Sequence, residues 1–305
     1  MKKYLIYSLL LLAGAFTMVS CSEDELSKES VIMVDQVDQN PFDLWLKANF
    51  IDTYNIEVKY RFEDIESDNN YYVIPAEYNQ AIKLAHIVKY ACLEAFDEAC
   101  GVEFTRANFP KLIYLIGNWE YRNNGTFVLG TAEGGKKILL TGVNHVDRYT
   151  RTRADLNHYY LKTIFHEFTH ILNQTQPYST SYKLITPDSY VADTWNEAPN
   201  NVGYLGRGYI SAYSQKEDRE DFAEIMSIYI TNTAEQWEVW MQEAAETVNA
   251  NGKTGRQLIE QKLSIVRDYM KKSWDVDMDE LRAEILKRQD DVANNNVDLT
   301  DLTIC

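Results

Sequence analysis

The stretch TIFHEFTHILNQ, residues 163–174, sets two of the five histidines of a 305-residue chain four positions apart, with a glutamate directly after the first. On a helix, His166 and His170 stand one turn apart on one side, where two imidazoles can reach the same metal ion. Glu167 falls on the flank of that face, placed to work on a water bound to the metal. Zinc suits this pattern because it brings the pKa of a bound water to about 7, so that a nearby carboxylate can take a proton as the oxygen attacks a polarised carbonyl. On the opposite side Leu161, Ile164, Phe165, Phe168, Ile171 and Leu172 recur at spacings of three and four, a stripe that faces a core.

A metal needs a third protein ligand. A metzincin continuation would require Gly and His at positions 173 and 176, where this chain has Asn173 and Gln176. The spacing used by aminopeptidases lands on Ser189, which cannot serve. Glu197 is available, but Pro199 argues against a helix there, and a loop glutamate is harder to hold in place. The stretch EDREDFAEIMSIYI, residues 217–230, is better suited: Phe222, Ile225, Met226 and Tyr229 form an apolar stripe, while Glu220 and Glu224 share the other face.

The remaining chain must position these two helices. With 45% hydrophobic and 25% charged residues it has the composition of an ordinary globular protein. A helix is expected from Pro41, and Ile56, Val58, Tyr60 and Phe62 alternate with charged residues as in a half-buried strand. Residues 77–98 fit a long helix. Three apolar runs, KLIYLIG, TFVLGTA and KKILLTG, follow at 111–142, separated by Asn-Asn-Gly and Glu-Gly-Gly turn signals, and read as a small sheet. Beyond residue 154 the pattern is helical except for a loop at 175–206, where Tyr178, Tyr182, Tyr190, Trp195 and Tyr204 could wall a cleft or merely pack. His86 and His158 read as structural or surface residues, and only His145 stands where it could line a cleft. Cys92 and Cys100 can pair only if the helix between them ends early, because eight residues of continuous helix separate them by roughly 12 Å. The fold class is α+β.

The motif His166-Glu167-x-x-His170, followed some 50 residues later by Glu220-Asp-Phe-Ala-Glu224 with Tyr213 seven positions before Glu220, resembles the gluzincin metallopeptidases of the anthrax lethal factor and Pro-Pro endopeptidase kind. The resemblance implies a zincin-like domain over residues 41–305, a small mixed sheet with an active-site helix and a helical C-terminal part. It further implies that His166, His170 and Glu220 bind Zn2+, that Glu167 is the general base, that Tyr213 steadies the oxyanion, and that Glu224 orients a ligand histidine. In zincins an edge strand holds the substrate backbone, which assigns that task to Leu139, Leu140, Thr141 and Gly142.

The N-terminus carries a different signal. Two lysines, an apolar run from Tyr4 to Val19 and Ser20 before Cys21 make a secretory leader, residues 1–20, whose end resembles a bacterial lipobox with Met18 in place of the usual leucine. The acidic run Ser22-Glu23-Asp24-Glu25 resembles the surface-export tag of outer-membrane lipoproteins in one group of Gram-negative bacteria. Residues 21–40 then read as a lipid-anchored tether, with the membrane contacted through the lipid alone. The formal net charge of −16 argues against nucleic acid and against adhesion to anionic lipid. Together, the two signals most resemble zinc metallohydrolase lipoproteins associated with outer-membrane substrate importers. The resemblance implies a peptide or protein substrate, or another amide such as a glycan conjugate, and an importer with its binding lipoprotein as partners. The rival reading is a ligand-capturing lipoprotein that keeps the zinc site as scaffold. Retention of Glu167 favours the enzyme, since a structural site has no use for that base. If Cys21 is acylated, the protein partitions into the detergent phase of a phase-separation assay and Cys21→Ala does not; equal partitioning of the two would leave a secreted, unanchored protein.

Overall fold

The computed structural model describes residues 38–304 apart from 67, 69, 122–126, 134–135 and 250–251. Leader, lipobox, Cys21 and most of the tether therefore lie outside the described residues, as do parts of the two turns between the apolar runs. Residues 40–305 form one compact unit, and no helix among the described residues is long and apolar enough to cross a membrane.

Six strands form among the described residues: β1 (Glu57–Lys59), β2 (Leu112–Leu115), β3 (Glu120–Tyr121), β4 (Phe127–Val128), β5 (Gly130–Glu133) and β6 (Lys137–Leu140). Four of them make a small mixed sheet in the order β1-β2-β6-β5, and β3 pairs with β4 in a separate ribbon. β1, β2 and β6 run parallel, and β5 returns antiparallel to β6. Their sequences explain the placement: β2 is apolar throughout and β6 is apolar from Ile138 to Leu140, the pattern of strands covered on both faces.

That placement corrects the expectation for residues 139–142. Leu139 and Leu140 lie inside the sheet, each paired with a residue of β2 on one side and of β5 on the other. Their backbone groups are spent, and both side chains are buried. Thr141 donates from its hydroxyl to the Val128 carbonyl at 2.5 Å. Gly142 has φ +70°, and a Cβ there would lie about 2 Å from the Trp119 ring. All four residues are structural. The edge next to β6 is β5, where a Cβ on Gly130 would come within 2.8 Å of Thr163. The glycine thus lets the edge strand lie against the histidine-bearing helix one turn before His166.

Eight helices matter for the site: α1 (Pro41–Leu46), α2 (Tyr78–Ile87), α3 (Glu94–Cys100), α4 (Lys162–Thr175), α5 (Asp218–Thr231), α6 (Ala234–Ala245), α7 (Gly255–Trp274) and α8 (Met278–Ala293). α1 begins at Pro41 with a capping box between Asn40 and Asp43. α2 and α3 are joined by a widened turn, Val88–Leu93, into one helical run. Cys92 and Cys100 therefore stay apart, and both thiols are free. A second widened turn, Asn157–Leu161, leads into α4.

The stripe on α4 is buried as its spacing requires, with Phe165 and Phe168 fully enclosed. The Phe168 ring lies 4.8 Å from Phe109 and 5.1 Å from Phe96, centroid to centroid. α5 differs from a simple amphipathic helix: Glu220, Asp221 and Glu224 are buried along with its apolar residues. It is enclosed by α4, α7 and α8. Phe168→Ala should cost about 3–5 kcal/mol, because the surrounding rings cannot collapse into the space; denaturant unfolding followed by circular dichroism measures it, and a loss under about 1 kcal/mol would mean that α4 is not seated as described.

Candidate metal centre

Four residues of helix carry the His166 side chain round to that of His170, and their Nε2 atoms come within 3.1 Å of each other. Glu220 arrives from α5 with Oε2 at 3.0 Å from His166 Nε2 and 3.1 Å from His170 Nε2. The potential ligand atoms of the three residues lie within 4.8 Å of one another. Two imidazole nitrogens and a carboxylate oxygen converging on one point are the donor set of a catalytic zinc site, three protein ligands with a position left for water or substrate.

The electrostatics suit a dication. Burial alone would push the His166 imidazole down, but the Glu220 and Glu224 carboxylates outweigh it and hold the ring up at about 9. Burial opposes charge on Glu220 too, yet His166 and His170 hold its carboxyl well below the usual range. A histidine binds metal only in its deprotonated form, so metal uptake releases protons and strengthens as pH rises.

An outer ring supports the first. Glu224 is fully buried, with Oε1 2.9 Å from Nδ1 of His166, which fixes the ring's orientation. Its charge is matched by Lys162, whose Nζ lies 2.8 Å from Oε1, and Ser211 donates to Oε2 at 2.6 Å. Despite its burial, the carboxyl stays well below the usual range because Lys162 and His166 face it. Lys162 and Ser211 are not among the site residues expected from the sequence. Lys162 had a legible signal, one turn before His166 on the same face; Ser211 had none.

Tyr213 opens a short turn, Tyr213–Gln215, just before α5, with its ring 5.8 Å from that of His166. Trp195 meets the same ring edge-on at 5.0 Å. Burial, reinforced by the charge of Glu220, pushes the phenol above its ordinary range, so it keeps its hydrogen to donate. The turn is pinned by the backbone: Val191 N donates to Gln215 O at 2.7 Å, and Ala192 N to Lys216 O at 3.1 Å. Glu167 is half-buried on α4, and its charge acts on both His166 and Tyr213.

Other candidates fall elsewhere. Glu197 is exposed and outside the cluster. Ser189 bonds Tyr209. His145 stacks on Trp119, and His86 on Trp45. Of the aromatic residues at 175–206, Tyr182 and Tyr190 pack around Phe222 and Asp221, while Tyr178 and Trp195 stand beside the site. A cleft of about 450 Å³ opens next to His170 and Glu220, walled by Asn173, Pro177, Tyr178, Lys183 and Arg219.

One further network holds these parts in register. Lys262 of α7 and Asp221 of α5 form an ion pair at 2.6 Å, both 0% exposed. The same ammonium donates to Gly208 O at 2.8 Å and sits 3.9 Å from the Tyr209 ring centroid, while Tyr190 donates to Asp221 at 3.0 Å. The chain segment carrying Tyr213 and the helix carrying Glu220 are thereby tied to one buried cation.

Residues 35–279 match a family model described as "putative zinc-binding metallo-peptidase". The chain belongs to this family. The match spans every residue of the metal centre. A solved structure given the same description, from Bacteroides caccae, is 38% identical, covers 86% of this chain and 96% of its own, and superposes with a TM-score of 0.71. No curated protein matches. For a zinc-binding metallo-peptidase with this geometry, Glu220→Gln should lose zinc to a mild chelator far faster than the parent, because an amide is a poor ligand and leaves the dication less compensated. Glu224→Gln should retain the ion better; elemental analysis after dialysis separates the two, and the reverse order would reassign the third ligand.

Proposed function

We propose that the chain is a zinc-dependent peptidase of gluzincin type within a zincin fold, anchored by a lipid on Cys21 at the outer surface of the outer membrane. The observation that carries the catalytic reading is the convergence of His166, His170 and Glu220 with Glu167 and Tyr213 beside them. His166, His170 and Glu220 would hold the ion, which when bound supplies Lewis acidity toward a carbonyl and makes water more acidic.

The chain's own groups do the rest. Glu167 takes a proton from the attacking water and can pass it to the leaving amine. Tyr213, kept protonated, donates to the oxygen on which charge develops. Glu224 fixes the tautomer and direction of His166, and Lys162 keeps that buried carboxylate compensated. An extended substrate would pair with the edge of β5, which has no other strand partner among the described residues.

Support for the anchor is the leader that ends at Cys21 and the acidic run after it. An importer and its binding lipoprotein as partners rest on the sequence resemblance alone. The decisive experiment is peptide-library cleavage with Glu167→Gln as control. Turnover should fall about 10²–10⁴-fold with zinc content unchanged. Equal turnover in both would reject the mechanism, and a parent that cleaves nothing while binding ligand would make the protein a capture module.

A further inference from the structure

We propose that Lys216 is a positioning residue that fixes which oxygen of Glu220 faces the metal and orients the Tyr213 hydroxyl. The inference rests on the peptidase reading for its second half only. Lys216 follows the Tyr213 turn and stands one helical turn before Glu220. Its Nζ donates to Glu220 Oε1 at 3.3 Å, whereas Oε2 faces the two histidines at 3.0 and 3.1 Å. The two oxygens thus have separate tasks, and Lys216 keeps them separate. The lysine is itself held, its carbonyl accepting from Ala192 N and its amide donating to Tyr213 O.

The same ammonium lies 3.5 Å from the Tyr213 hydroxyl and 5.4 Å from the ring centroid. An ammonium carries three donors and no acceptor, so toward Lys216 the phenol oxygen can only accept. Its own hydrogen must then point elsewhere. The phenol also interacts with the Glu220 carboxylate, so Lys216 bridges the two groups and sets the phenol's direction relative to the ligand. Accepting one bond also strengthens the one a hydroxyl donates. Charge adds a further reason: Glu167, Glu220 and Glu224 crowd one site, Lys162 answers Glu224, and Lys216 answers Glu220.

The test compares Lys216→Met, Lys216→Arg, Tyr213→Phe and the Lys216→Met/Tyr213→Phe pair, after thermal melts show that all four are folded; Lys216 is about a quarter exposed (27%), so none should unfold the chain. Zinc should leave Lys216→Met for a chelator about tenfold faster than the parent, with Lys216→Arg near the parent. On a cleaved peptide, Lys216→Met should lose kcat about tenfold or more with KM little changed. With zinc kept saturating, the double variant should be no slower than Tyr213→Phe alone. Equal zinc release from parent and Lys216→Met, or losses in the double variant that multiply, would overturn the assignment. If the parent cleaves no peptide, the peptidase reading fails, and zinc release alone still decides whether Lys216 holds Glu220.

Discussion

A carboxylate in a protein core must be compensated, and here the compensation of Glu224 ties the architecture together. It is fully buried between α4 and α5 and meets Lys162, Ser211 and His166 at once. An ammonium and an imidazole from α4 and a hydroxyl from the loop before α5 can satisfy it only if both helices sit at one depth and rotation. The apolar stripes would allow several such alignments. The buried charge selects one, and it is the one in which His166, His170 and Glu220 meet.

Around that pair, the rest of the fold serves as a frame. The interior position of β6 leaves β5 as the edge, and the absence of a side chain at Gly130 brings that edge down onto α4. On the other side, Lys262 draws together α5, Gly208 and the tyrosines of the preceding loop. The helix bearing His166 and His170 therefore packs against the edge strand β5, and the segment leading to Tyr213 is held from within the core.

Much of this was legible in the sequence, and what was not has identifiable reasons. The α4 helix, the α5 helix and their ligands follow from spacing, because helical periodicity is a local property. The small mixed sheet was also legible as a set of apolar runs, but its order was not: the run at 137–140 and the weaker one at 130–133 exchange interior and edge only when strand pairing is known. The consecutive apolar residues Ile138, Leu139 and Leu140 were the clue that this strand would be covered on both sides. Glu224 was readable as the partner of Glu220 on one face, whereas Ser211 reaches it across a loop that no periodicity describes. The pair between Lys262 and Asp221 was invisible for the same reason, since the two residues stand in different helices and each looks like a solvated charge.

That hidden pair also constrains how the sequence can drift. Replacing Lys262 or Asp221 alone leaves an uncompensated charge in the core, a step that costs about 3–5 kcal/mol, whereas replacing both with apolar residues of similar volume can be nearly neutral. The neutral path is thus closed to single substitutions. Because Asp221 sits next to Glu220 and Lys262 grips the segment that leads to Tyr213, an intermediate that slackened the pair would loosen ligand and hydroxyl together. The buried cation acts as a ratchet on variation, and it binds the history of the C-terminal helices to that of the metal centre.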